Sequence, residues 1–352
     1  MTSFGVIAAP SCAFRTSPSL QNAERWHLTR APPVTFYVQM SPAQRPSPVA
    51  LWSALGTVYL VWGSTYLAIA IAVETLPPLL SAGLRFLTAG VLICLWLGLQ
   101  RVSLRATPRE LLGAATVGLL LLAGGNGLVV LAERTVPSGV TALIVASIPL
   151  WIVVLRALTG ERVRRDLIAG VLLGLVGVAI LVVPGGLNGT LDPFGVAILL
   201  GATVSWAVGT FISPRLRSPR NALLSTAYQM LAGGAALLVT GVIRGEAANV
   251  DPASFSTRSV VAIAYLVVFG SIVAFTAYTW LLQHASVSLV ATYAFVNPVV
   301  AVILGALVRG EPVTPTIVAG AAVIIAAVAF IVWRQTAQRA GVERVSVATA
   351  AD

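Results

Sequence analysis

Residues 110–131 read ELLGAATVGLLLLAGGNGLVVL, a run of 22 residues whose one charge is its first residue. At 1.5 Å per residue a helix of that length is about 33 Å long, enough to cross a hydrocarbon core of about 30 Å. A soluble helix would break such a run with a polar stripe, and a half-buried strand would alternate. This one does neither. In lipid the backbone must satisfy its own hydrogen bonds, so the run is predicted to be a membrane-spanning helix.

Similar blocks lie on both sides of it. Ten are expected, near 49–73, 77–98, 110–131, 137–157, 167–184, 193–212, 221–243, 259–282, 286–308 and 315–333. Pro, Gly and Arg mark most of the joins, as at Leu76-Pro77-Pro78, Pro137-Ser138-Gly139, Pro184-Gly185-Gly186 and Ser213-Pro214-Arg215. The predicted fold class is therefore an all-α membrane protein.

Composition agrees. Charged residues make up 10% of the 352 and apolar ones 57%, against roughly 25% charged in a soluble domain. All 22 basic residues are arginine. Without lysine there is no phosphate loop of the GxxxxGK type, no Schiff base and no catalytic Lys. Two cysteines, Cys12 and Cys94, and two histidines, His27 and His284, give no metal-ligand spacing, so neither metal nor cofactor is expected. The arginines are strung between apolar blocks and not gathered on one face, which argues against nucleic acid.

Residues 1–48 hold seven prolines, six serines and four arginines, the composition of a disordered leader. No positive region precedes the apolar run Phe4–Phe14, so no signal peptide is expected. Translation from Met40 is one hypothesis for this leader, and N-terminal sequencing that recovers residues 1–39 would reject it. Arginines favour one side of the expected bundle by 17 to 4, with Arg85 inside a helix. By the positive-inside rule both termini are cytoplasmic.

The halves resemble each other. Trp62-Gly63-Ser64-Thr65 has a loose counterpart at Trp206–Thr210, and Leu84-Arg85-Phe86 lines up with Tyr228-Gln229-Met230, both at an offset of 144. Pro149 matches Pro298, Gly160-Glu161 matches Gly310-Glu311, and Ala169-Gly170 matches Ala319-Gly320, at offsets of 149 to 150. With five helices each, the second half must be inverted relative to the first. The expectation is two inverted five-helix repeats, 49–184 and 193–333, and a cytoplasmic tail, 334–352. Such repeats place a substrate site at their interface and alternate its access.

Several motifs resemble EamA-type members of the drug/metabolite transporter superfamily and, within them, the YedA-like inner-membrane exporters. They are Val61-Trp62-Gly63-Ser64-Thr65-Tyr66, Glu74-Thr75-Leu76-Pro77-Pro78, Ala82-Gly83-Leu84-Arg85-Phe86, Gly124-Gly125-Asn126-Gly127, Pro137-Ser138-Gly139 and Tyr293–Ala301. The likeness spans roughly residues 50–333. It implies a ten-helix bundle that moves a small metabolite or drug, and no particular substrate.

Arg85 is the most informative candidate. A charge near the helix centre costs about 2.5–3.5 kcal/mol on insertion scales, so it should face the interior and meet a partner. One reading is a clamp for a substrate carboxylate or phosphate. The other is a structural arginine tied to helix carbonyls, Glu74 or Glu133. Trp62, Trp206, Tyr228, Tyr278 and Tyr293 lie within helices and are candidates for the walls of an amphiphilic pocket. Ser64, Thr65, Asn126, Gln229 and Asn297 could add hydrogen bonds there. Glu133, seven residues after Asn126, and Glu74 are candidates for gating or coupling at the outer mouth, with a solvated helix end as the plainer alternative. Pro149 and Pro298 each free a carbonyl, at Val145 and Ala294, and are candidate cavity walls or hinges. Gly170, Gly174 and Gly177 read as helix-packing positions.

No Asp or Glu falls in the middle of a block, which disfavours a cation exchanger built on one central carboxylate. An anionic or zwitterionic small molecule is the expected substrate and the bilayer the expected surroundings, with a homo-oligomer left open. Export is expected, and uptake by the same fold is the alternative. A membrane-embedded enzyme would need clustered acids, His or Lys at one face, and these are missing. A non-transporting scaffold or sensor would lack a soluble partner domain.

Overall fold

The computed structural model describes residues 47–160, 165–187, 191–285, 290, 293–330 and 333–334. All but the last two residues of the leader, Met40, Glu161 and the tail from 335 lie outside the described residues. Among those described, every regular element is helical.

Each of the first three helices is opened by a proline, which fits the first turn because its missing N–H has no partner there anyway. These are α1 (Pro48–Ala72), α2 (Pro78–Leu99) and α3 (Pro108–Ala132). Ser47 caps α1 through its hydroxyl, and Thr107 with Glu110 forms a reciprocal capping box on α3. There follow α4 (Ser138–Leu158), α5 (Arg165–Leu187), α6 (Pro193–Ile212) and α7 (Ala222–Ile243). The next, α8, runs as Thr257–Tyr265, Leu266–Val273 and Ala274–His284. Finally come α9 (Tyr293–Arg309) and α10 (Pro315–Phe330). Seven spans, on α1–α4 and α6–α8, are long and apolar enough to cross a membrane. Shorter apolar helices occupy Ile168–Ile180, Val296–Arg309 and Pro315–Phe330.

Two helices contain an eight-residue π-helical stretch, Leu119–Asn126 in α3 and Leu266–Val273 in α8. A π turn widens the backbone and redirects the side chains that follow it. The two prolines act differently. The α-helix of α4 ends at Val145 and resumes at Ile148, just ahead of Pro149, with a turn at 146–147 between. Pro298 lies within α9, which continues past it.

The most extensive helix pair is α2 with α7. A Cβ added at Gly83 would lie 2.8 Å from the Leu238 amide nitrogen and 2.9 Å from the Gly234 carbonyl. Only glycine lets these two backbones touch, which is how membrane helices gain packing without a hydrophobic driving force. Around this pair, α1 packs on α8 and α9, and α3 packs on α6 and α7. Helix α4 packs on α9, α6 and α5. One end of the bundle gathers Glu74, Glu133, Ser138, Glu246, Ser256, Arg309 and Glu311, and is called the Glu74 end below. The opposite end carries Leu104 and Tyr228.

Candidate functional site

Arg85 sits about two turns into α2 and is 4% exposed. Its Nε donates to the Ser271 hydroxyl at 3.0 Å. Ser271 belongs to the π stretch of α8, and its neighbour Gly270 makes the approach possible. A Cβ on Gly270 would lie 3.1 Å from Thr65 Cγ2 and 3.3 Å from Arg85 Nη2. The Gly270 carbonyl accepts the Trp62 indole N–H at 3.3 Å. Thus one wide turn of α8 holds the guanidinium from α2 and the indole from α1 on adjacent residues. Arg85 Nη1 is buried and makes no hydrogen bond. A buried donor without an acceptor is costly and rare.

An aromatic cluster extends from Trp62. Its ring lies 5.3 Å from Phe275, 5.0 Å from Tyr278 and 5.3 Å from Tyr293, centroid to centroid. The Trp62–Phe275 and Trp62–Tyr293 contacts are edge-on, a favourable quadrupole arrangement. Asn297 is buried under this cluster and can donate its amide to the carbonyls of Tyr293 and Tyr59 at 3.1 and 3.2 Å. Ser64 shares a hydrogen bond of 2.6 Å with the Tyr265 hydroxyl, and Thr65 donates to the Trp62 carbonyl. Arg85 and the rings are therefore joined through Ser271 and Gly270, which accept from the guanidinium and from the Trp62 indole.

The other candidates lie elsewhere. Trp206 on α6 packs against Gly125 in the π stretch of α3. Asn126 ends that stretch, with its Oδ1 buried and unpartnered. Tyr228 donates to the Leu104 carbonyl, away from Arg85. Gln229 donates to the Ser225 hydroxyl one turn back on α7.

At the Glu74 end, α2 and α4 both start after a proline, Pro77 and Pro137, that offers no capping side chain. Glu246 supplies the missing acceptor for α2, taking the amides of Leu79 and Leu80 at 3.0 Å each on Oε2. Glu311 does the same for α4. Its Oε1 accepts the Ser138 amide (3.0 Å) and hydroxyl (2.8 Å), and Oε2 accepts the Gly139 amide (3.0 Å). A carboxylate is well placed at the positive end of a helix. Gly245 and Gly310, both left-handed, turn the chain so that each glutamate can reach. Arg309 pairs with Glu74 and lies 3.6 Å from Glu311. Beneath this network Glu133, just past the end of α3, is 5% exposed, and neither carboxylate oxygen has a hydrogen-bond partner.

A buried guanidinium with an orphan donor and a ring cluster beside it thus lie inside a bundle of apolar helices. Comparison with known proteins decides the family: the model of the EamA-like transporter family matches residues 50–183 and again 193–333. The chain belongs to the EamA-like transporter family. It is 42% identical over 262 residues to the uncharacterized inner membrane transporter YedA of Escherichia coli K12, covering 74% of this chain and 83% of that one. It is 28% identical to the uncharacterized transporter YvbV of Bacillus subtilis, over 81% and 92% of the two chains. A probable amino-acid metabolite efflux pump of Salmonella typhimurium is 27% identical, over 76% and 90%. One crystal structure shares the fold with a TM-score of 0.57 at 22% identity, covering 83% of this chain and 98% of that one.

Against this EamA background, the structural reading of Arg85 changes its partner. Glu74 is taken by Arg309, and the side chain that Arg85 bonds is Ser271, which sequence reasoning passed over. Gly270, Tyr265, Phe275 and Glu311 were passed over too. For Glu311 a signal existed: Arg-Gly-Glu occurs at 244–246 and again at 309–311, each time after an apolar block.

Proposed function

We propose that this EamA-type protein exports small carboxylate-bearing amphiphiles, of the amino-acid type, across the cytoplasmic membrane by alternating access. The observation that carries the reading is Arg85, buried beside an aromatic cluster with Nη1 unsatisfied. A substrate carboxylate would complete that hydrogen bond, while an apolar side chain would lie on Trp62, Tyr278 and Tyr293. The name of the Salmonella relative supports both the substrate class and the direction.

Alternation would come from two inverted five-helix repeats forming ten spanning helices. The packing supports that arrangement. Gly83 approaches Gly234 and Gly90 approaches Ala227. Adding the offset of 144 to Gly83 and subtracting it from Gly234 turns one pair into the other. The α1–α8 and α1–α9 contacts exchange with α6–α3 and α6–α4 in the same way, as do the π stretches of α3 and α8. The arginine bias then puts both termini in the cytoplasm and the Glu74 end outside.

Flux of radiolabelled L-phenylalanine, L-threonine and L-glutamate in proteoliposomes tests this. The wild-type chain should move at least one, and Arg85→Ala should reconstitute equally well yet move none. Transport undiminished in Arg85→Ala would take the guanidinium out of the substrate site.

A further inference from the structure

Glu133 is the one glutamate in the described bundle that is both buried and unpartnered. It follows Ala132, the last residue of α3, so the negative end of that helix lies at its backbone. Its oxygens receive no hydrogen bond and almost no solvent. An ionised carboxylate in that place has lost its water and gained nothing in exchange. Such a group stays neutral until a cation or water reaches it.

The charged and titratable groups that act on it come from three directions. Tyr66 faces it from α1 and Arg85 from α2, while Arg309 and Glu311 face it from the end of α9. Glu311 repels a second negative charge. Arg309 is held by Glu74 and flanked by Glu311. Arg309 acts on Glu133 more strongly than Arg85 does, but it already has Glu74 and Glu311, so of these two cations Arg85 is the one with no carboxylate partner among the described residues. Burial first, and Glu311 second, hold the Glu133 carboxyl well above the usual carboxylate range.

We infer that Glu133 is a proton-binding site, and that its proton is held when Arg85 carries an external anion and released when Arg85 must be neutralised from within. One guanidinium faces two competing anions. With a carboxylate ligand on Arg85, Glu133 keeps its proton as the neutral acid. Once the ligand leaves, Glu133 ionises, its proton passes to water at the opened mouth, and the new carboxylate balances Arg85. Linkage is reciprocal, so protonating Glu133 strengthens anion binding by the same factor. Proton and substrate therefore travel in one direction, and export runs down the metabolite's own gradient. The proton site stands on Glu133 alone; the coupling rests on Arg85 being the anion site proposed above.

Infrared titration of the full chain in phosphatidylethanolamine–phosphatidylglycerol vesicles tests both parts without a substrate. The wild-type chain should show a protonated-carboxyl C=O band at neutral pH, lost in Glu133→Gln. Arg85→Gln and Arg85→Met imitate a neutralised guanidinium, and either should hold the band to a pH at least one unit higher, a tenfold change in proton affinity. Arg85→Lys, which keeps the charge, should leave the midpoint near that of the wild type. A neutral-pH spectrum identical in wild type and Glu133→Gln would overturn the proton site. A midpoint indifferent to the charge at position 85 would overturn the coupling. A chain that moves none of the three amino acids would still give this band, so the two readings fail separately.

Discussion

Removing Glu311 should loosen the start of α4 by an amount the structure lets us bound. The carboxylate accepts three hydrogen bonds, from the amides of Ser138 and Gly139 and the Ser138 hydroxyl, and its side chain is 13% exposed. Bonds to a charged acceptor are worth roughly 1.5–3 kcal/mol each before hydration of the freed groups is set against them. Because the site lies at the end of the bundle, water or headgroups replace part of the loss in Glu311→Ala. The net effect then falls near the upper end for a lost helix cap, about 2 kcal/mol. At roughly 2–4 °C per kcal/mol, Tm should fall by about 4–8 °C. Glu311→Gln keeps an acceptor oxygen but not the charge, and should lose about half of that, in line with the smaller worth of neutral hydrogen bonds. Thermal unfolding of the detergent-solubilised chain, followed by circular dichroism, gives the series. If Glu311→Ala melts within about 1 °C of the wild type, the carboxylate is not the cap of α4 and the assignment fails.

Other expectations are as specific. Gly83→Ala would place a Cβ 2.8 Å from one backbone nitrogen and 2.9 Å from one backbone oxygen of α7. Neither can swing aside, so the variant should lose about 1–3 kcal/mol or more. Gly98→Ala, where an added Cβ meets nothing within 4 Å, should be neutral or slightly stabilising in the same melt. Asp192 caps α6 through the amides of Phe194 and Gly195, and the Thr135 hydroxyl, followed by these amides, holds its carboxyl below the usual range. Its contribution is therefore present above the unfolded Asp value of about 3.9 and lost as pH falls through the lower folded value. Asp192→Asn should flatten the acid limb of Tm against pH and leave the neutral region nearly parallel to wild type.

The apolar blocks were legible because lipid leaves the backbone one local solution, so 22 uncharged-to-the-core residues such as 110–131 can be read without knowing their neighbours. Arg85 was legible for the converse reason: a guanidinium in such a block is expensive, and the expense marks it. Its partner was not. Serine in a membrane helix is ordinary, and what makes Ser271 the acceptor is the wide turn at Leu266–Val273, which depends on contacts with α1 and α2. The scatter of Trp206, Tyr228 and Gln229 away from Arg85 has the same origin. Sequence reasoning placed them by depth along a helix, but the face that each presents is set by packing. Glu246 and Glu311 were hidden by distance, since they cap helices 167 and 173 residues earlier in the chain.

Those two caps are alike in chemistry and unlike in consequence. Glu246 holds α2, which is locked to α7 by backbone contact at Gly83 and Gly234, so nothing can slide there without separating two main chains. Glu311 holds α4, whose helix is already interrupted at 146–147, and it does so through polar bonds that water can replace. Any opening of the Glu74 end is therefore expected to break the Glu311 contacts and spare those of Glu246. Glu133 lies under the first and should meet water when they part. In D2O, the Glu133 infrared band should shift faster in Glu311→Gln than in the wild-type chain, and Glu246→Gln should leave the rate unchanged. Equal exchange in both variants would mean that the two glutamates serve one rigid face, and that water reaches Glu133 by another route.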